Sequence, residues 1–176
     1  GVGPCNASLQ ECIDAAVVQS GDTIHIKPGI YTQSVTLAKP GRVVCLGSPL
    51  RGSMAAERLS QLGELGAAIL GPTGREALVG RVLSEDVRPD RDVGSIAGTT
   101  SVGAGMMLGI LPEPNDGTIA EFETKMPWLK DHISYPVTHT GFLVSPEVAN
   151  QTAFFLRHGM FDRQSAAYRS TGAPDT

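Results

Sequence analysis

Long apolar runs are missing from this chain: nothing approaches the roughly 18 consecutive apolar residues of a membrane span, and no charged-then-apolar leader precedes Gly1. A soluble protein is therefore expected. The chain begins without Met, which fits a processed or trimmed N-terminus, including one left by removal of a signal peptide. Runs of like charge are also missing. With a formal net charge of −4 and no Lys/Arg cluster, neither nucleic acid nor an anionic membrane is expected as the main partner, and a small or neutral ligand suits the chain better. Aromatic residues make up only 5%, whereas 21 Gly and 12 Pro predict much turn and loop around short elements. Cysteine is scarce. Cys5 and Cys12 are near enough in sequence either to pair across a helix start or to stay reduced, while Cys45, within an apolar run, is expected to be a buried core thiol.

What is present, 176 residues at 41% hydrophobic, suffices for one domain with a real core or for two small ones sharing an interface, and one compact body is expected. Ser8-Leu9-Gln10-Glu11 has capping-box spacing, so a helix should start there and stop at Ser20-Gly21-Asp22. Strands are expected over 23–27 and 34–37, each followed by Pro-Gly. Val43-Val44-Cys45-Leu46 and 93–97 read as strands buried on both faces of a parallel sheet. Between them, 53–70 predicts one broken or two short helices interrupted by Gly63 and Gly66, then a helical turn over 76–82 and an exposed connection over 84–92. A third strand is expected over 132–137 and a last helix over 145–158. That helix has Ser145 as cap, Pro146 at its first position, His158-Gly159 at its end, and Val148, Thr152, Phe155 and Leu156 inside.

Two residues in this frame carry candidate chemistry. Asp116 sits in the turn Pro114-Asn115-Asp116-Gly117, and His139 lies in the loop after the third strand, where open α/β sheets place ligands and catalytic groups. An acid followed by a base, each on a loop after an apolar run, is how many hydrolases mount their proton machinery. Turn chemistry alone is the rival explanation of Asp116. Glu121, Glu123 and Lys125 read as solvated. No serine presents itself as nucleophile. Ser48 follows a strand but precedes Pro49, which has no N–H to stabilise an oxyanion; Ser95 falls inside a strand, and Ser101 lies in a loop without signature.

The segments RVVCLGSPLRGS, VGSIAGT, LPEPNDGT, DHISYPVTHTG and SPEVANQTAFFLRHGMF resemble, in order, the C-terminal half of bacterial α/β-hydrolases of the lipase/esterase and PGAP1-like type, over residues 42–163. The resemblance implies an α/β fold, an incomplete three-layer parallel sheet, with Asp116 and His139 as acid and base of a Ser-His-Asp triad. The G-x-S-x-G nucleophile of that family does not occur here. Residues 5–41 instead resemble the N-terminal cap and first coil of pectin-lyase-like right-handed parallel β-helix proteins, which implies a natural or engineered join near 38–42. The expected organisation is thus a helix-plus-two-strand segment over 1–41, a hydrolase-like part over 42–163 and a flexible tail over 164–176. The implied activity is ester hydrolysis of a small-molecule ester or lipid-like substrate, weak or lost without the serine, in a bacterial cytoplasmic or secreted setting. No cofactor or metal is implied. Two alternatives stand beside it: a binding or assembly module whose open sheet edge pairs with a second copy, and a carbohydrate-binding β-helix fragment.

Overall fold

A computed structural model describes residues 41–68, 89–102 and 111–165. The chain divides into two compact units, Gly1–Gly41 and Arg42–Thr176. The expected helix from Ser8, the strands over 23–27 and 34–37, the Cys5 and Cys12 positions and the turn over 76–82 lie outside the described residues.

The second unit is a mixed α/β body around a three-stranded parallel sheet. Its strands are β1 (Val43–Leu46), β2 (Val93–Gly98) and β3 (Asp131–Tyr135), in the order β1-β2-β3. The register pairs Leu46 with Ile96 and Ile96 with Ile133. β2 is central and wholly buried, which its small and apolar sequence VGSIAG allows. β3 ends two residues before the expected boundary, because Pro136 cannot donate a ladder hydrogen bond.

Side chains alternate across a strand, so the two sheet faces differ. Val44, Leu46, Ile96, Ile133 and Tyr135 share one face and form a single apolar cluster with Phe142, Val148, Phe155 and Phe161. Helix α2 (Pro146–His158) covers this face; helix α1 (Met54–Ser60) follows β1. The ends of α2 form as their residues dictate: Ser145 accepts from the Val148 amide, and Gly159 takes the left-handed conformation that closes the last turn. Arg42 donates to the carbonyls of Leu156 and Arg157, tying the start of β1 to the negative end of the helix. The inner face of α2 is rotated from the expected one. Val148, Gln151 and Phe155 are buried, while Leu156 is exposed. Gln151 accounts for the difference, because its amide donates to the Asp162 carbonyl and accepts from the Asp162 amide, holding the chain after the helix. Beyond Arg163 the amides of Gln164 and Ser165 both donate to the Asp162 carboxylate.

The region after β1 breaks into two short helical stretches, but at Gln61-Leu62 and not at the glycines: Gly63 opens the second stretch and Gly66 lies within it. α1 stops at Ser60, and the chain is helical again over 63–68. Its buried residues are Ala55 and Ala56, with Leu62 and Leu65 exposed. Cys45 is a free, half-buried thiol, pushed up in pKa by burial.

The opposite sheet face mixes Cys45, Val93 and Ala97 with the polar Ser95, His132 and Ser134, and is met by a 3₁₀ turn, Glu121–Thr124. The Ser134 hydroxyl donates to the Glu121 carboxylate. Thr124 donates its one hydroxyl proton to the Glu121 carbonyl at 2.7 Å, so the His132 Nε2 contact to that hydroxyl, at 3.0 Å, is a donation from the ring. Burial, then the charge of Lys125, outweigh Glu121 and Asp131 and push the His132 pKa down to about 4. The unfolded chain therefore binds this proton more readily than the folded one, and stability is expected to fall as pH drops from about 6.5 toward 4. Urea midpoints measured between pH 7 and 5 test this. The decline should flatten in His132→Gln, and an equally steep decline in that variant would refute the assignment.

Candidate active site

The carboxyl ends of the three parallel strands converge on one pair of side chains. His139 Nδ1 lies 2.8 Å from Asp116 Oδ2. The backbone repeats the link, since the His139 amide donates to the Asp116 carbonyl at 2.9 Å. Both residues that the sequence nominates are thus brought together from separate loops.

Asp116 is held by its own turn. The Asn115 side chain accepts from the Gly117 amide, and Asp116 Oδ1 accepts from the amides of Thr118 (2.9 Å) and Ile119 (2.7 Å). A short antiparallel bridge between Asn115 and Ala120 closes the loop. The turn chemistry and the contact to histidine are therefore complementary: one carboxylate oxygen organises the turn, and the other is left for the imidazole. At 1% exposure the carboxylate is shielded from water, so its contact with the ring is strong.

The geometry also fixes the tautomer. A carboxylate whose Oδ1 accepts two amide protons also presents Oδ2 as an acceptor, so Nδ1 carries the proton and the neutral ring keeps its lone pair at Nε2. The His139 side chain is 39% exposed, and among the described residues no group bonds Nε2. The hydrogen bond that the ring donates to Asp116 raises the His139 pKa above its ordinary value, and burial only partly opposes it. Phe142 sets its ring edge-on to the imidazole, with centroids 6.3 Å apart, and so braces the ring orientation.

Two glycines make room for the pair. A Cβ on Gly47, which has φ +51°, would lie 2.9 Å from Asp116 Oδ2, 3.1 Å from His139 Nδ1 and 2.7 Å from the Phe142 ring. At Gly98 it would lie 2.7 Å from Asp116 Cβ and 2.6 Å from the Val137 carbonyl. Asp116 is thus wedged against the ends of β1 and β2, while His139 follows β3.

The serines fall as their contexts imply. Ser48 donates to the Leu46 carbonyl at 3.3 Å, and Ser95 is fully buried within β2. Among the described residues no hydroxyl or thiol bonds His139. Nor, among them, does any cluster of three or more His, Cys, Asp or Glu side chains form a metal site, and no helix is long and apolar enough to cross a membrane.

Glu123 corrects the sequence reading. Expected in solvent, it is 1% exposed, and its carboxylate accepts from the Met54 amide (2.6 Å) and the Ala120 amide (2.7 Å). Those two bonds only partly offset the cost of burial, and the Asp116 and Glu57 charges add to it, so the Glu123 pKa is raised. The available signal was spacing: a Glu three residues past the start of a turn can reach back to its first amide. Ala120, lacking a hydroxyl, hides that pattern.

No protein-family model, curated protein or solved structure matches the chain in comparison searches.

Proposed function

We propose that residues 42–163 are the C-terminal part of an α/β-hydrolase-type domain acting on carboxylic esters, with His139 as general base and Asp116 as the residue that orients it. The observation that carries this reading is the buried Asp116 carboxylate, tied to two amides and to Nδ1, leaving the opposite ring nitrogen as the only basic site of the imidazole. Among the described residues no serine reaches Nε2, and the nucleophile in this reading is water. Nε2 takes a proton from water as the oxygen attacks the ester carbonyl. The tetrahedral intermediate then collapses, and the leaving alcohol oxygen recovers the proton from the ring. Such a site is slow, because it has the base without the preassembled nucleophile of a triad.

A nitrophenyl-ester assay tests the proposal. The unaltered chain should exceed His139→Ala by on the order of tenfold or more, a modest general-base contribution. Equal rates would end the hydrolase reading. The rate should also rise with pH through the raised His139 pKa, since only the neutral ring accepts a proton.

A further inference from the structure

We propose that Glu123 is a positioning residue for the Asp116–His139 pair, clasping together the two loops that frame it. The role rests on the hydrolase reading for its catalytic meaning, and on the hydrogen bonds alone for its structural one.

The first loop leaves β1 through Gly47, where even an added Cβ would lie 2.9 Å from Asp116 Oδ2 and 3.1 Å from His139 Nδ1, and continues to Ser53 at the start of α1. The second carries Asp116 and closes at the Asn115–Ala120 bridge. Glu123 bonds to both. Its Oε1 accepts from Met54, the first residue of α1, and its Oε2 accepts from Ala120, the bridge residue. Its backbone carbonyl accepts from the Arg51 amide at 3.0 Å, and its own amide donates to the Ala120 carbonyl. Further backbone bonds tie the second loop internally, from Glu121 to the Pro114 carbonyl and from Asp116 to the Ile119 carbonyl. The carboxylate is therefore a buried bridge between the strand-end loop that crowds the pair and the turn that supplies its acid. A solvated surface glutamate needs no such burial. A carboxylate in this environment persists only where its bonds hold something in place.

Glu123→Gln turns one acceptor oxygen into an amino group facing an N–H donor, so one of the two clasps must break. It also removes a negative charge near Asp116, which would by itself alter the histidine. A second pair of variants avoids that ambiguity. Met54→Pro deletes the N–H that Oε1 accepts, at a first helical position where proline is well tolerated, and Ser53 already has the extended backbone (φ −118°, ψ 110°) that a following proline requires. Met54→Ala loses the same side chain but keeps the N–H.

The readout is the imidazole ¹⁵N and ¹H titration of His139 in the full chain, with melting temperature as a check on folding. In Met54→Pro relative to Met54→Ala, the His139 pKa is expected to fall toward 6.5, and the Nδ1–H signal to broaden as the contact with Asp116 loosens. Glu123→Gln should show the same or a larger shift. An unchanged His139 titration in a folded Met54→Pro overturns the proposal. The ester rates of these variants should fall with the titration. If the unaltered chain and His139→Ala hydrolyse ester equally, the hydrolase reading fails while the Glu123 clasp is still judged by the titration alone.

Discussion

Replacing Asp116 with Asn is expected to abolish most His139-dependent ester hydrolysis, with a loss approaching that of His139→Ala, on the order of tenfold or more, while leaving the fold in place. The asymmetry follows from the carboxylate's two oxygens. An Asn side chain can keep its carbonyl oxygen toward the amides of Thr118 and Ile119, so the turn survives. Its amino group then faces Nδ1. A donor in that place forces Nδ1 to accept, which moves the ring proton to Nε2 and leaves no lone pair where the base must act. The pH response should change as well. In the native chain the raised His139 pKa means that the folded state holds the proton more tightly, so the resulting stability is full below about 6.5 and is lost as pH climbs through the folded value. Asp116→Asn should remove that dependence and shift the rising limb of any pH–rate profile downward. A rate within a few-fold of the native chain, with the His139 titration unmoved, would show that the carboxylate does not govern the ring. The His132 effect occupies a different window, between about 6.5 and 4, so the two histidines can be separated by pH.

Much of the sheet and its covering helix was legible because their signals are local. Val43–Leu46 and Val93–Gly98 are short apolar runs bounded by turn residues, and Ser145-Pro146-Glu147 with His158-Gly159 marks both ends of one helix. Asp116 and His139 could be nominated because each sits on a turn or loop after an apolar run of sequence. Their pairing is a tertiary fact, which depends on the parallel order of β1, β2 and β3 bringing the strand ends side by side. Glu123 was misread for the same reason. Its immediate neighbours are those of a solvated turn, and its burial depends on the Met54 amide, contributed by a distant helix start. The inner face of α2 shows a subtler limit. Spacing of apolar residues favoured Thr152 and Leu156, but a polar side chain, Gln151, faces inward because the Asp162 backbone offers it both a donor and an acceptor.

The largest stability effect in the unit is expected from Phe155→Ala. The ring is fully buried, sits 4.8 Å from the Phe161 ring by centroid, and packs against β2 where Gly94 leaves space. A Cβ on Gly94 would come within 2.7 Å of it, so the ring fills a hollow that the strand sequence creates. Truncation should cost about 3–5 kcal/mol, the usual loss for a buried aromatic whose cavity the surrounding sheet cannot close. Leu156→Ala, one residue on and 44% exposed, should cost within about 0.5 kcal/mol. Gly94→Ala should destabilise from the opposite direction, by roughly 1–3 kcal/mol, because it pushes the same ring out of its place. Urea denaturation of the three variants measures all of this in one series. Comparable losses at 155 and 156 would mean that α2 presents the apolar face its spacing suggests, and that the Gln151 bonds to Asp162 do not set its rotation. A large loss at 155 alone would locate the helix by its polar anchor. It would also explain how Phe142, in the same apolar cluster, is kept firm enough to brace the His139 ring.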